Sequence, residues 1–290
     1  MTELRDEAIR LYDAYAHEHL DRRRLLREMT ALAGSAAAAE ALILGIGASP
    51  AAAQVVAADD PRLITRILRG GDREKPSIAY AASLKPGPGA RPLVLVVHEN
   101  RGLTEHIKDV TRRFALAGFG AVAPDLLSPQ GGTPADEDRA REMIRTLDYD
   151  LALARVRTML LTAAEEGIKA GAVGFCWGGA FVNRLAVAAG SELHAGVSYY
   201  GPAPAPSEAA KVQAAIMVHL AGDDQRVNAT GLPWVEALRA AGKRVEGHVY
   251  AGVEHAFNND TSAERYGKAA ADLAWGRTVA FLRRELDGAG

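Results

Sequence analysis

From Pro61 onward, short apolar runs alternate with stretches of helical character, and this alternation restricts the fold more than any other feature of the chain. "PLVLVVH" (92–98), "FGAVAPD" (119–125), "AGAVGF" (170–175), "HAGVSYY", "AAIMVHL" and "RVEGHVYA" are each strand-length. The middle runs are continuously apolar, the pattern of strands covered on both faces. Between them the spacing predicts helices near 104–117, from about 136 to 166, from Cys176 to about 189, at 230–241, and through "DLAWGRTVAFLRREL" at the end. Upstream, "RLITRIL" and "SIAYAAS" flank the turn-rich "RGGDREKP" and read as an antiparallel hairpin. The fold class is therefore α/β: a mostly parallel twisted sheet with helices on both faces. With 48% hydrophobic residues in 290, the chain can bury a core of that size.

The first 60 residues differ. Leu4, Ile9, Leu11, Tyr12 and Tyr15 are spaced as in an amphipathic helix, and Arg22 and Arg23 then precede an alanine-rich apolar stretch. Two readings fit. One is a twin-arginine-like export signal cleaved near Ala53, which would place the protein in the periplasm; the other is a helical arm packed on the domain or on a second subunit of a homodimer, in a cytoplasmic protein. Glu40 interrupts the apolar stretch, which is too short and broken for a stable membrane span. The expected division is residues 1–60 as helical N-terminal extension or signal region, and 61–290 as catalytic domain.

A formal net charge of −2 provides no field that would favour nucleic acid or an anionic membrane. There is one cysteine, so no internal disulfide can form. That cysteine stands in "GFCWGG", between Gly174 and Gly178, where a strand run ends and a helical pattern begins. A sharp strand-to-helix turn strains its central residue and leaves no room for side chains two positions to either side. It would also expose the Cys176 sulfur at a helix N-terminus, where the macrodipole favours a thiolate. A small buried hydrophobe is the bland alternative, but it needs no such glycines.

In open α/β sheets, ligands bind beyond the carboxyl ends of the strands. The polar residues there are His98, Glu99, Asp125, Cys176, Asp223, Asp224 and His255. A thiol nucleophile needs a base, and the base an orienting acid. "LAGDDQRVNAT" and "YAGVEHAFNND" follow the cysteine in the order nucleophile, acid, histidine, which resembles the α/β-hydrolase layout. His255 is the candidate base, with Asp223 or Asp224 as its acid. His219, inside an apolar strand, reads as a core residue, and His106, His194 and His248 show no matching partner.

From about residue 60 to the C-terminus, "VVHENRGL", "GFCWGG", "GDDQRVNA" and "GVEHAFNND" resemble the dienelactone hydrolase (carboxymethylenebutenolidase) family, the cysteine branch of the α/β hydrolases. The resemblance implies an α/β-hydrolase fold and a Cys-His-Asp triad of Cys176, His255 and Asp224, because "DQRV" matches the family's aspartate followed three residues on by an apolar residue. It further implies a Glu99 that contacts the resting cysteine and moves when substrate binds. The N–H groups of Asn100 and Trp177 would form the oxyanion hole. The implied activity is hydrolysis of lactones or small esters through an acyl-cysteine, with acyl transfer or thioester cleavage as variants on the same triad and a non-catalytic binding protein as the rival from another class. No metal or organic cofactor is expected, since no metal-spaced Cys/His cluster or phosphate-cradling loop is present.

One departure stands out. The family's two substrate-binding arginines fall on Asn259 and on Pro129 or a near neighbour, which cannot replace a bidentate guanidinium. Arg101, Arg139 and Arg226 are the nearby candidates to take over.

Overall fold

The computed structural model describes residues 2–17, 20–46, 54–71, 76–86 and 91–287. Eight strands form one sheet: β1 (Leu63–Gly71), β2 (Pro76–Leu84), β3 (Leu93–Val97), β4 (Gly120–Asp125), β5 (Ala170–Phe175), β6 (Ala195–Tyr199), β7 (Ala215–Ala221) and β8 (Val245–Tyr250). Their spatial order is β1-β2-β4-β3-β5-β6-β7-β8. β1 and β2 are antiparallel, as the hairpin reading expected, and β2 pairs antiparallel with β4. Every pairing from β4 through β3 to β8 is parallel. Residues 72–75 of the hairpin turn and the suggested cleavage position near Ala53 lie outside the described residues.

Period-two alternation divides the sheet's apolar side chains between two cores. Val94, Val96, Val173 and Phe175 face α4 (Glu105–Leu116) and α9 (Lys268–Leu286), where Phe114 and Phe281 are buried. Leu95, Val97, Ala170 and Ala172 face α6 (Tyr149–Glu165), α7 (Trp177–Ala188) and α8 (Gln225–Ala240), packing with Val156, Phe181 and Trp234. Helices thus cover both faces, and the central strands are buried along their whole length.

Two helical boundaries differ from the sequence expectation, each because of an aspartate cap. The stretch 136–166 is two helices, α5 (Glu137–Arg145) and α6, because Asp148 accepts from Leu151 N and starts a new helix. α8 begins at Gln225 rather than at 230, because Asp224 Oδ1 accepts from Val227 N at 3.0 Å.

The N-terminal region forms α1 (Thr2–His17), α2 (Arg22–Ala33) and α3 (Ala36–Ile46), which share a small core of Ile9, Tyr12, Leu25, Met29 and Ile46. This arm packs on the catalytic sheet's carboxyl edge. Ser262 Oγ donates to Ile46 O at 2.6 Å, and Arg22 pairs with Asp138 at 2.6 Å. No single described helix is long and apolar enough to cross a membrane; α2 and α3 pass that test only as a pair bent by 111°.

Candidate active site

Cys176 sits between β5 and α7 with φ 55° and ψ −115°, a conformation that costs a non-glycine residue free energy. Its amide donates to Tyr199 O at 2.9 Å, fixing the bend to the end of β6. The flanking glycines are required by contact. A Cβ on Gly174 would lie 2.0 Å from Gly178 O, and one on Gly178 would lie 2.4 Å from Val97 O. The bend therefore holds the cysteine at the sheet's carboxyl edge, against the turn that follows β3.

Two later loops bring the other groups. Asp224, at the start of α8, accepts a hydrogen bond from His255 Nδ1 at 2.5 Å, and both residues are buried. Asp223 is exposed and takes no part. Cys176 interacts with His255 as well. Burial alone would push the imidazole's pKa down, but the charge of a Cys176 thiolate, together with the hydrogen bond and charge of Asp224, raises it to about 10. For Asp224, burial acts upward, but the hydrogen bond and charge of His255, the Val227 N–H and the charge of Arg226 together outweigh it, so the carboxyl is held below its usual range.

Glu99 and Asn100 occupy the turn after β3 and line the same small void as Cys176 and His255. Asn259 Nδ2 donates to Glu99 Oε2 at 3.0 Å, so an amide holds the glutamate in the turn. Trp177 is the first residue of α7, where a backbone N–H has no intrahelical acceptor. Its ring stacks on buried His98 at 5.8 Å between centroids.

Of the three candidate arginines, Arg101 lies in the void beside Cys176 but is engaged, bonding Tyr12 OH at 2.6 Å and pairing with Glu137 at 3.4 Å. Arg226 lines the larger cleft that also contains Cys176 and Trp177. Arg139 is exposed on α5. His219 is buried and bonds Tyr250 and Thr278, as a core histidine would. His106 does have an acidic partner, Asp260 at 3.2 Å, and His248 has Glu246 at 3.6 Å, contrary to expectation. Asp260 lies on a distant loop, which residue spacing does not reveal, whereas Glu246 and His248 stand two apart on β8 and share a face, as the strand period would have shown.

The sequence reading passed over Tyr200. Its ring meets His255 edge-on at 5.1 Å, and its φ is 37°. With Cys176 and Ala256 it makes up the non-glycine residues of positive φ among those described, so backbone strain is concentrated at this one site. The available signal was its position at the end of the β6 run. Also missed was Arg265, buried in the void and paired with Asp13 of the arm at 2.5 Å. Among the described residues, no group of three His, Cys, Asp or Glu side chains could hold a metal ion.

A mostly parallel sheet of this order, a strained residue after β5, and an acid and a histidine from the loops after β7 and β8 define an α/β hydrolase. The family model of the dienelactone hydrolase family matches residues 79–286, and the chain belongs to that family. It is 31% identical over 258 residues to a "Putative carboxymethylenebutenolidase" of Escherichia coli (strain K12), covering 82% of this chain and 93% of the relative. A protein of the same description from Methylorubrum extorquens is 30% identical, with 90% and 96% covered. Among solved structures, a "Putative Dienelactone Hydrolase" from Klebsiella pneumoniae matches with TM-score 0.69 and 28% identity, over 77% of this chain and 99% of that one. A dienelactone hydrolase from Anabaena variabilis, 18% identical with TM-score 0.61, shares the fold.

Proposed function

We propose that this hydrolase cleaves lactones or small carboxylic esters through an acyl enzyme on Cys176. The observation that carries the reading is the placement of the His255 imidazole between the Asp224 carboxylate, at 2.5 Å, and Cys176 at its strained bend. The Cys176 thiolate adds to the ester carbonyl, and the carbonyl electrons move onto oxygen. The N–H groups of Asn100 and Trp177 stabilise that oxyanion. As the tetrahedral species collapses, the C–O bond to the alcohol breaks and the His255 imidazolium gives its proton to the departing oxygen. The neutral imidazole, held in one tautomer by Asp224, then takes a proton from water. The resulting hydroxide adds to the thioester, releasing the carboxylic acid and restoring the thiolate. Glu99 is the carboxylate that faces the sulfur between turnovers.

The cleft beside Cys176 has a volume of about 840 Å³, enough for an ester with an aryl or medium-length alkyl group. Replacing Cys176 by alanine and assaying a chromogenic phenyl ester tests the reading. Turnover should fall by at least about 10³-fold; unchanged turnover would contradict it.

A further inference from the structure

The chemistry proposed above makes no use of the N-terminal arm, yet arm residues border Cys176 on two sides. On one side Ala16 and Ile46 close the void of about 30 Å³ that contains Cys176, His255 and Arg265. On the other, Tyr15, Ala16, Leu20 and Arg22 form one wall of the 840 Å³ cleft, opposite Tyr149 and Trp177. The arm is therefore not laid over a finished pocket. The rest of the cleft's lining comes mainly from α5, α6, α7, α8 and the loop after β6.

Polar contacts hold the arm in this position, and two of them go to the turn carrying the proposed oxyanion donor. Asn100 Nδ2 donates to Ala16 O at 2.9 Å, and Arg101 Nη2 donates to Tyr12 OH at 2.6 Å. Arg265 pairs with Asp13 at 2.5 Å and lies over the Tyr12 ring at 4.9 Å. At the far end Arg22 pairs with Asp138, which also accepts from Tyr15 OH. The side chains of Arg101 and Arg265 are only 10% and 5% exposed. With the arm in place, removing the Asp13 carboxylate alone would leave the buried Arg265 guanidinium without that partner, which is costly.

We infer that Tyr12, Tyr15, Ala16, Leu20 and Arg22 of the arm are part of the substrate site: Tyr15 is a specificity-determining residue of the cleft, and Tyr12 and Ala16 are positioning residues that fix the Glu99–Arg101 turn. The assignment of substrate class rests on the ester-hydrolase reading, but the placement of the arm can be tested without it. Cys176 is the sole cysteine, so thiol alkylation of the full chain reports on that sulfur alone.

The test compares two alkylating reagents, iodoacetamide and a bulky pyrenyl maleimide, each corrected for its rate with a small free thiol. Wild type is set against Asp13→Ala/Arg22→Ala, which removes two latches, and against Tyr15→Ala, which trims the wall. The bulky-to-small rate ratio should rise by about tenfold in the double variant, most of it from losing the partly buried Asp13–Arg265 pair and little from the exposed Arg22–Asp138 pair. It should rise in Tyr15→Ala as well, together with a lower KM for a naphthyl ester. If the double variant does not fold, Tyr15→Ala alone decides. A ratio within twofold of wild type in each folded variant would overturn the inference. Should the chain hydrolyse no ester, the alkylation ratio still tests the arm, so the two readings can fail separately.

Discussion

Nδ1 of His255 and Oδ2 of Asp224 lie 2.5 Å apart in a site where both side chains are almost wholly withdrawn from water, at 2% and 5% exposure. A charge-assisted hydrogen bond in such surroundings is strong, and it fixes the imidazole so that its other nitrogen faces the cysteine. Asp224→Asn should keep the fold but allow the wrong tautomer, lowering kcat/KM for an activated ester by about 10²–10⁴-fold. Asp223→Asn, at the exposed neighbour, should leave it nearly unchanged. Steady-state kinetics of the two variants side by side decide between them.

The same pair imposes a pH dependence on stability. The His255 pKa is raised from 6.5 to about 10, so the native state binds the proton more tightly than the unfolded chain does. That stabilisation is fully present below about 6.5 and is lost as pH rises through about 10. Asp224 has the opposite sign: its lowered pKa stabilises the fold above 3.8, and this is lost as pH falls. Melting temperatures from pH 5 to 10.5 should therefore decline more steeply for wild type than for His255→Ala.

Much of this site is legible in the sequence because its signals are local. The Gly174–Cys176–Gly178 spacing encodes a bend in which Gly174 is pressed against Gly178 four residues on, though Gly178 itself is required by its distant approach to Val97 and His98, and the strand runs place Asp224 and His255 at one edge. What could not be read arises from long-range packing. Asn259 reaches Glu99 across 160 positions, Tyr200 meets His255 across the site with a φ of 37°, and Asp13 meets Arg265 across 252. The cap at Asp148 was visible in kind, but a continuous apolar period over 136–166 masked it.

Glu99 and Cys176 line one void of about 30 Å³, so a carboxylate and a thiolate there repel. Glu99→Gln keeps the Asn259 contact in shape while removing the charge. Alkylation of Cys176 by iodoacetamide at pH 7, without substrate, should speed up by about three- to tenfold. A rate equal to wild type would show that the carboxylate does not act on the sulfur.

The glycines of the bend can be tested against a control elsewhere. Gly178→Ala would drive a Cβ to 2.4 Å from Val97 O and 2.5 Å from His98 O, backbone atoms that cannot move aside, and should cost more than about 3 kcal/mol. Gly276, inside α9, has open space around it, and Gly276→Ala should stabilise by about 0.5–1 kcal/mol. Urea unfolding of both variants measures the contrast.

The most direct measurement is an acid-quenched intact-mass experiment on the full chain, mixed briefly with excess activated ester. One acyl group should be found on residue 176, forming and decaying at rates that support turnover, and no adduct should form in Cys176→Ala. Turnover at the full rate with no acyl mass on that cysteine, or an equal adduct in the alanine variant, would contradict the mechanism.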